Sequence, residues 1–232
     1  AFARLSRERG IEIVAVNDLG ALENLAYLLK YDTVYGRAAF EVGVKEGALM
    51  VDGKEVKFFS EKDPINLPWK DLAVDVVVES TGFFTEYEKA MAHITAGASR
   101  VIITAPAKGE GGETILMGVN EEKLATCRIS SNASCTTNAA SPVIAILDEA
   151  IGIEKAVLST THAYTASQSI VDSPTRGGSA FGGKDMREGR AAAMNIVPTT
   201  TGAALAVTEA YPQLAGKFDG ISLRVPVSAG SI

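Results

Sequence analysis

Ile11-Glu12-Ile13-Val14-Ala15-Val16-Asn17-Asp18 (residues 11–18) is a largely β-branched run that stops abruptly on two polar residues. Such a run, apolar on nearly every position, suits a strand of a parallel sheet buried on both faces. A helical pattern follows at Ala21–Leu29. The same alternation returns further on, with Val74–Glu79 as a strand, Glu86–Ala96 as a helix and Val101–Thr104 as the next strand. Strands that alternate with helices predict an open α/β sheet, whose ligands lie beyond the carboxyl ends of the strands. Asp18 stands at such an end. There a carboxylate can accept hydrogen bonds from both ribose hydroxyls of an adenosine and repel a 2′-phosphate, which favours NAD over NADP. Equally, it can cap the helix at Ala21. From the residues alone the two readings stand even.

Between the first helix and Val74 the pattern changes. Phe40–Val44, Leu49–Val51 and Val56–Phe59 are short strands parted by Glu46-Gly47 and Asp52-Gly53, which predicts two hairpins. At the carboxyl end of the Val74 strand Gly82 offers a place where backbone can approach a ligand closely, and Thr104 closes the next strand. Lys108–Gly112 is glycine-rich but lacks the spacing of a phosphate-cradling loop.

At 232 residues, 47% hydrophobic and with 22 Gly, the chain suits a compact, turn-rich α/β protein of one or two domains. Lys and Arg total 22 against 28 Asp and Glu, a net charge of -6, so no basic face is offered to nucleic acid or an anionic membrane. No apolar run is long enough to span a bilayer. Two cysteines, Cys127 and Cys135, rule out a disulfide scaffold and suit a reducing, cytoplasmic setting.

The chemistry centres on Ser131-Asn132-Ala133-Ser134-Cys135-Thr136-Thr137-Asn138. A β-prone stretch leads into it and a helical pattern (Ala139, Val143, Ile144, Leu147, Ile151) leads out, so Cys135 is expected at a helix start. Unpaired N–H groups and the positive end of the helix dipole favour an anion there, and a thiolate is the expected state. The bland alternative is a half-buried small residue among hydroxyls. Ala156–Thr161 then reads as a strand delivering His162, an imidazole well placed to act as base for the thiol. The other histidine, His93, lies on a helix without such a context and is assigned to surface or packing. Ala166–Arg190 is too long a loop to be idle. At its end Arg187 and Arg190 flank Glu188; two guanidiniums can bind phosphate, and an exposed ion-pair cluster is the alternative. Thr199–Gly202 leads into a helix at Ala203–Ala210, another start that suits an anion. Arg224 sits on an apolar strand, Phe218–Val225, where a charge must be paired or bound to an anion.

The segment SNASCTTN (131–138) resembles the active-site segment of the glyceraldehyde-3-phosphate dehydrogenase family. The resemblance runs on through VAVNDL, YDTVYG, VVVESTGFF, VIITAPAKG, MGVN, THAYT, IVPTTTGAA and LRVP, in the family's order. It implies a Rossmann-type doubly wound parallel sheet over residues 1–134, binding NAD, followed by an α+β catalytic domain with a mixed sheet over 135–232. It implies Cys135 as nucleophile and His162 as acid/base, with Asp18, Thr104 and Gly82 at the cofactor. Thr165 and Arg224 would hold the phosphate of glyceraldehyde 3-phosphate. Ser134, Thr136, Thr201 and Gly202 would hold the attacking inorganic phosphate, assisted by Arg187 or Arg190. No metal is implied, and a cytoplasmic homotetramer is, with Ala166–Arg190 as the S-shaped loop that lies against a neighbour's cofactor. Lys62 stands where the family commonly has Arg, and is left out of the site because an ammonium lacks the planar fork. The family's glycine-rich turn, first strand and long terminal helix have no counterpart here, so an internal piece is expected. Its sheet, ordered 3-2-1-4-5-6, would then leave the strands at Ile11 and Val74 each with a free inner edge. The rival readings are an erythrose-4-phosphate dehydrogenase of the same superfamily and a non-catalytic scaffold on the same fold, against which the intact Cys135, His162 and Arg224 argue.

Overall fold

The computed structural model describes residues 2, 8, 10–175, 185–199 and 201–230. The chain divides into two compact units, Ala1–Asp75 with Ala92–Ser99, and Val76–Met91 with Arg100–Ile232.

In the first unit β1 (Ala15–Asn17) is followed by α1 (Leu22–Lys30), a ribbon of β2 (Tyr31–Asp32) and β3 (Gly36–Arg37), and a meander of β4 (Val42–Lys45), β5 (Ala48–Val51) and β6 (Lys54–Phe59). The sheet order is β1-β6-β5-β4, antiparallel within the meander and parallel where β6 meets β1. Both expected hairpins form. Glu46-Gly47 (φ 51° and 80°) and Asp52-Gly53 (φ 48° and 75°) are left-handed at both central positions, the geometry whose twist matches that of the strands. Leu22 and Ala26 of α1 bury against Leu49, Val51 and Val56, with Ile13 and Val16 packed alongside. Each of the larger of these side chains contributes about 1.5–3 kcal/mol by burial.

Two expectations change here. The strand expected from Ile11 is paired only over Ala15–Asn17, because β6 is its single partner among the described residues and Ile11 is 48% exposed. Asp18 does not cap α1. The cap position is Ala21, without a side-chain bond, and Asp18 Oδ1 instead accepts from Gly20 N at 2.7 Å in its own turn. His93 belongs to packing and not to the surface: it is 4% exposed and its Nδ1 accepts from Trp69 Nε1 at 3.1 Å. The helical pattern expected over Ala1–Arg9 lies almost wholly outside the described residues.

The second unit opens with β7 (Val76–Glu79), from which the chain runs through α2 (Tyr87–Thr95), whose last turn is counted with the first unit. Then come β8 (Arg100–Ile103), β9 (Glu113–Thr114), β10 (Ile129–Ser131) and α3 (Cys135–Ile151). The order is β7-β8-β10-β9, parallel throughout. A second sheet follows, from β11 (Ala156–Ala163), β12 (Val197–Thr199) and, after α4 (Ala203–Ala210), β13 (Phe218–Val225). In its order β11-β13-β12 the first pair is parallel and the second antiparallel, the mixed sheet expected. Helix α4 is buried along Ala203, Ala204, Ala206 and Val207, and Val207 joins Ile144 of α3 and Leu214 in a core cluster. Among the described residues β1 pairs only with β6, and β7 only with β8.

Candidate active site

The site is built on the turn between β10 and α3. Ser131 is fully buried, and its hydroxyl donates to Ala105 O at 2.7 Å while accepting from Ala133 N at 3.0 Å. Ala133 is left-handed (φ 51°), a conformation that costs a non-glycine residue free energy and has to be held from outside. The Asn138 amide does so, with Nδ2 donating to the carbonyls of Asn132 (2.6 Å) and Ser134 (2.9 Å). Ser134 then caps α3, its Oγ accepting from Thr137 N at 3.0 Å. Cys135 is therefore the first residue of the helix, and it is exposed.

Its partner comes from the second sheet. His162, next to last in β11, brings Nε2 to 3.0 Å from Cys135 Sγ. On the other side of the ring Nδ1 lies 2.7 Å from Ala163 O and 2.9 Å from Arg224 Nη1. The β11–β13 register pairs His162 with Arg224 directly, which is why these two meet. Arg224 Nη1 also donates to Ala163 O at 3.2 Å, while its Nε is buried with no partner among the described residues. A buried guanidinium N–H without an acceptor is costly, and an anion would relieve it.

The other expected residues lie as follows. Thr165 Oγ1 is exposed and 3.0 Å from Ser167 Oγ. Thr136 is buried, and the Ser134 hydroxyl is taken by its cap, so neither stands free toward solvent. Thr201 Oγ1 accepts from Ala203 N at 3.1 Å and Gly202 is the cap residue of α4. Arg187 and Arg190 do not meet the Cys135–His162 pair in any described contact. Arg187 forks onto Asp185 (2.8 and 2.6 Å) and Arg190 reaches Asp172 Oδ2 at 3.0 Å, the exposed ion-pair arrangement. The guanidinium of Arg187 holds the Asp185 carboxyl below its usual range, and Asp185 in turn raises Arg187. Arg176–Lys184 of the long loop lie outside the described residues.

Of the residues expected at the cofactor, Asp18 belongs to the first unit and Gly82 and Thr104 to the second. Asp18, at the end of β1, is exposed. Gly82, after β7, has φ 77° and open space where a Cβ would stand, so backbone there can be approached. Thr104 Oγ1 donates to Glu79 O (3.2 Å) and lies 3.1 Å from Ser80 Oγ, tying together the carboxyl ends of β7 and β8. Sequence reasoning missed three contributors: the Ala163 carbonyl, the Asn138 brace and the contact of Arg224 with the His162 ring. Backbone groups carry no sequence signal, but Asn138, four residues after the cap, did.

Residues 134–232 match the family model described as glyceraldehyde 3-phosphate dehydrogenase, C-terminal domain, and residues 1–87 match the NAD binding domain of the same enzyme. Relatives called glyceraldehyde-3-phosphate dehydrogenase from Clostridium acetobutylicum and Clostridium pasteurianum are 50% and 49% identical over 100% of the chain, which covers 68% of each. One of that name from Streptomyces coelicolor is 52% identical over 99% of the chain, covering 66% of the relative. The chain belongs to the glyceraldehyde-3-phosphate dehydrogenase family. It spans about two thirds of these relatives' length. The Rossmann-type α/β class and the cofactor NAD, both expected from sequence, are borne out by the family's NAD binding domain model. No helix of the described residues is long and apolar enough to cross a membrane.

Proposed function

We propose that the chain performs the phosphorylating, NAD-dependent oxidation of glyceraldehyde 3-phosphate to 1,3-bisphosphoglycerate, in glycolysis and gluconeogenesis, with residues 1–134 serving the cofactor and 135–232 the chemistry. The observation that carries this reading is the Cys135 Sγ–His162 Nε2 distance of 3.0 Å at a helix start. His162 Nε2 takes the thiol proton while Nδ1–H donates to Ala163 O, and the thiolate adds to the aldehyde carbon. The carbonyl oxygen, now an alkoxide, takes the proton back from Nε2, which leaves a thiohemiacetal on Cys135. Asp18, Gly82 and Thr104 would hold NAD, which would supply the hydride acceptor needed for this adduct to become a thioester. His162 receives the hydroxyl proton in that change. A phosphate oxygen then attacks the thioester carbon, the C–S bond breaks, and the sulfur leaves as thiolate beside the helix start.

Thr165 and Arg224 hold the substrate phosphate in this reading, and Ser134, Thr136, Thr201 and Gly202 the attacking one. The unpartnered Nε of Arg224 supports its part. Arg187 or Arg190 assists only after exchanging its carboxylate partner for phosphate, and such exposed pairs are cheap to break. Assembly as a homotetramer in the cytoplasm belongs to the same proposal. The deciding assay is NADH formation from glyceraldehyde 3-phosphate with and without inorganic phosphate, in the full protein. Turnover indifferent to phosphate would remove the phosphorylating step.

The thiols supply a more local check. Burial pushes the Cys127 thiol up, against the opposing pull of Arg100, so it holds little thiolate at neutral pH. A short pulse of iodoacetamide at neutral pH should therefore label Cys135 in large excess over Cys127 by peptide mapping. Equal labelling in the folded protein would contradict the assignment of Cys135 as nucleophile.

Cofactor preference gives another. Asp18→Gly removes an exposed carboxylate that would accept from the ribose hydroxyls and repel a 2′-phosphate. The ratio of kcat/KM for NAD over NADP should fall by on the order of tenfold. An unmoved ratio would place the preference elsewhere.

A further inference from the structure

Ala133 stands in the turn between β10 and α3 with φ 51°, a left-handed conformation in which its Cβ crowds the backbone. Glycine would adopt it freely. Yet the Ala133 methyl is buried in a cluster with Leu116, Ala206 and Ala210, so the position keeps its side chain and its strain together. The turn has to be held closed by its neighbours. Ser131 Oγ does so from the strand side, accepting from Ala133 N at 3.0 Å. From the helix side the part falls to Asn138. Its Nδ2 gives one hydrogen to Asn132 O at 2.6 Å and the other to Ser134 O at 2.9 Å, so one amide spans the strained residue and bonds the carbonyls on both its flanks. Asn132 Nδ2 donates to Oδ1 of the same amide at 3.3 Å, which sets the end of the amide that faces the turn.

The first turn of α3 needs this tie because the body of the helix holds it weakly. Pro142 has no N–H, so the Asn138 carbonyl lacks the donor four residues on that would fasten the first turn to the next. Cys135 is carried by that turn. Its Sγ meets His162 Nε2 at 3.0 Å from a separate element, β11, so the contact lasts only while α3 keeps its angle to β10.

We infer that Asn138 is a positioning residue for the reaction: its amide, bonded across Ala133 to both flanking carbonyls, holds the start of α3 at the angle that keeps Cys135 Sγ against His162 Nε2. None of the described bonds of its side chain goes to Cys135 or His162, so it acts through the backbone. The inference rests on the reading of Cys135 as nucleophile given above.

The test is a short pulse of iodoacetamide at neutral pH on the full protein, with Cys127, which stands before β10 and outside this turn, as internal reference. Asn138 is exposed, so alanine there leaves no cavity and Asn138→Ala should fold with Tm little changed. Its Cys135 should label on the order of three- to tenfold more slowly than in the unsubstituted protein, the effect of losing one or two modest hydrogen bonds, with Cys127 labelling unmoved. A residue that served only stability would do the reverse, since a loosened fold exposes both thiols and speeds both. Asn138→Ser, whose hydroxyl bonds back to the Ser134 carbonyl but is too short to reach Asn132, should lose as much, so the test stands on either variant. The acylation burst should slow by the same factor, with KM for the aldehyde little changed. A double variant decides the route: in His162→Asn, where the contact is already gone, adding Asn138→Ala should slow labelling by less than about twofold. Undiminished labelling of Cys135 in folded Asn138→Ala, full recovery in Asn138→Ser, or effects that multiply in the double variant would each overturn the inference. Equal labelling of Cys135 and Cys127 in the unsubstituted protein would instead overturn the nucleophile reading, and this inference with it.

Discussion

Cys135→Ser is expected to abolish phosphate-dependent NADH formation, lowering kcat by at least about 10⁴-fold, while leaving the fold intact. The α3 cap is made by Ser134 and Thr137, and the turn before it by Ser131 and Asn138; none of these bonds involves the Cys135 side chain. The thiol is exposed, so a hydroxyl in its place leaves no cavity and buries no new polar group. Stability should move by no more than about 0.5 kcal/mol. What changes is the nucleophile. A hydroxyl beside His162 is far harder to ionise than a thiol, and an ester is a poorer acyl donor to phosphate than a thioester. Thermal unfolding and turnover measured on the same preparation would show unchanged Tm with lost activity. Substantial turnover by Cys135→Ser, or loss of fold and activity together, would be inconsistent with a purely nucleophilic role.

The two halves of this protein were not equally legible in its sequence. Helix α4 and strand β13 have the limits read from the residues, because Gly202 and Val225-Pro226 punctuate them strongly. The hairpins at Glu46-Gly47 and Asp52-Gly53 were readable because a two-residue loop ending in glycine demands one turn geometry. The strand at Ile11 is shorter than its pattern: periodicity reports which residues could pair and not which find a partner, and among the described residues β1 has one neighbour. Asp18 was ambiguous for a physical reason, since an acid before a helix suits a cap as well as a ribose. The bond to Gly20 takes Asp18 Oδ1 away from the cap and says nothing of a ribose. In the site, Cys135 and His162 were legible as types in context, but the contact of Arg224 with the ring depends on the register of two parallel strands whose paired residues lie 62 positions apart. No local pattern carries that. For Arg187 and Arg190 the sequence leaves an anion site and an ion-pair cluster both open, because it does not show Asp185 and Asp172 standing against them.

His162→Asn is expected to lower kcat by roughly 10²- to 10⁴-fold, the usual worth of a positioned acid/base, with KM little changed. Asparagine keeps a polar planar group of similar reach. Its amide can donate toward sulfur, but it cannot take the thiol proton and hand it to the developing alkoxide. Because the substrate phosphate is assigned to Thr165 and Arg224, affinity should be largely spared even though Arg224 loses its partner on the ring. The defect should appear in the acylation burst rather than in release of product, and alkylation of Cys135 at neutral pH should slow in parallel, since no imidazole remains to relieve the thiol of its proton. Adding free imidazole tests the assignment further: a small base diffusing into the space left by the ring should restore part of the acylation rate in His162→Asn and none in Cys135→Ser. An unchanged burst in His162→Asn would show that the 3.0 Å contact is structural and that another group moves the proton.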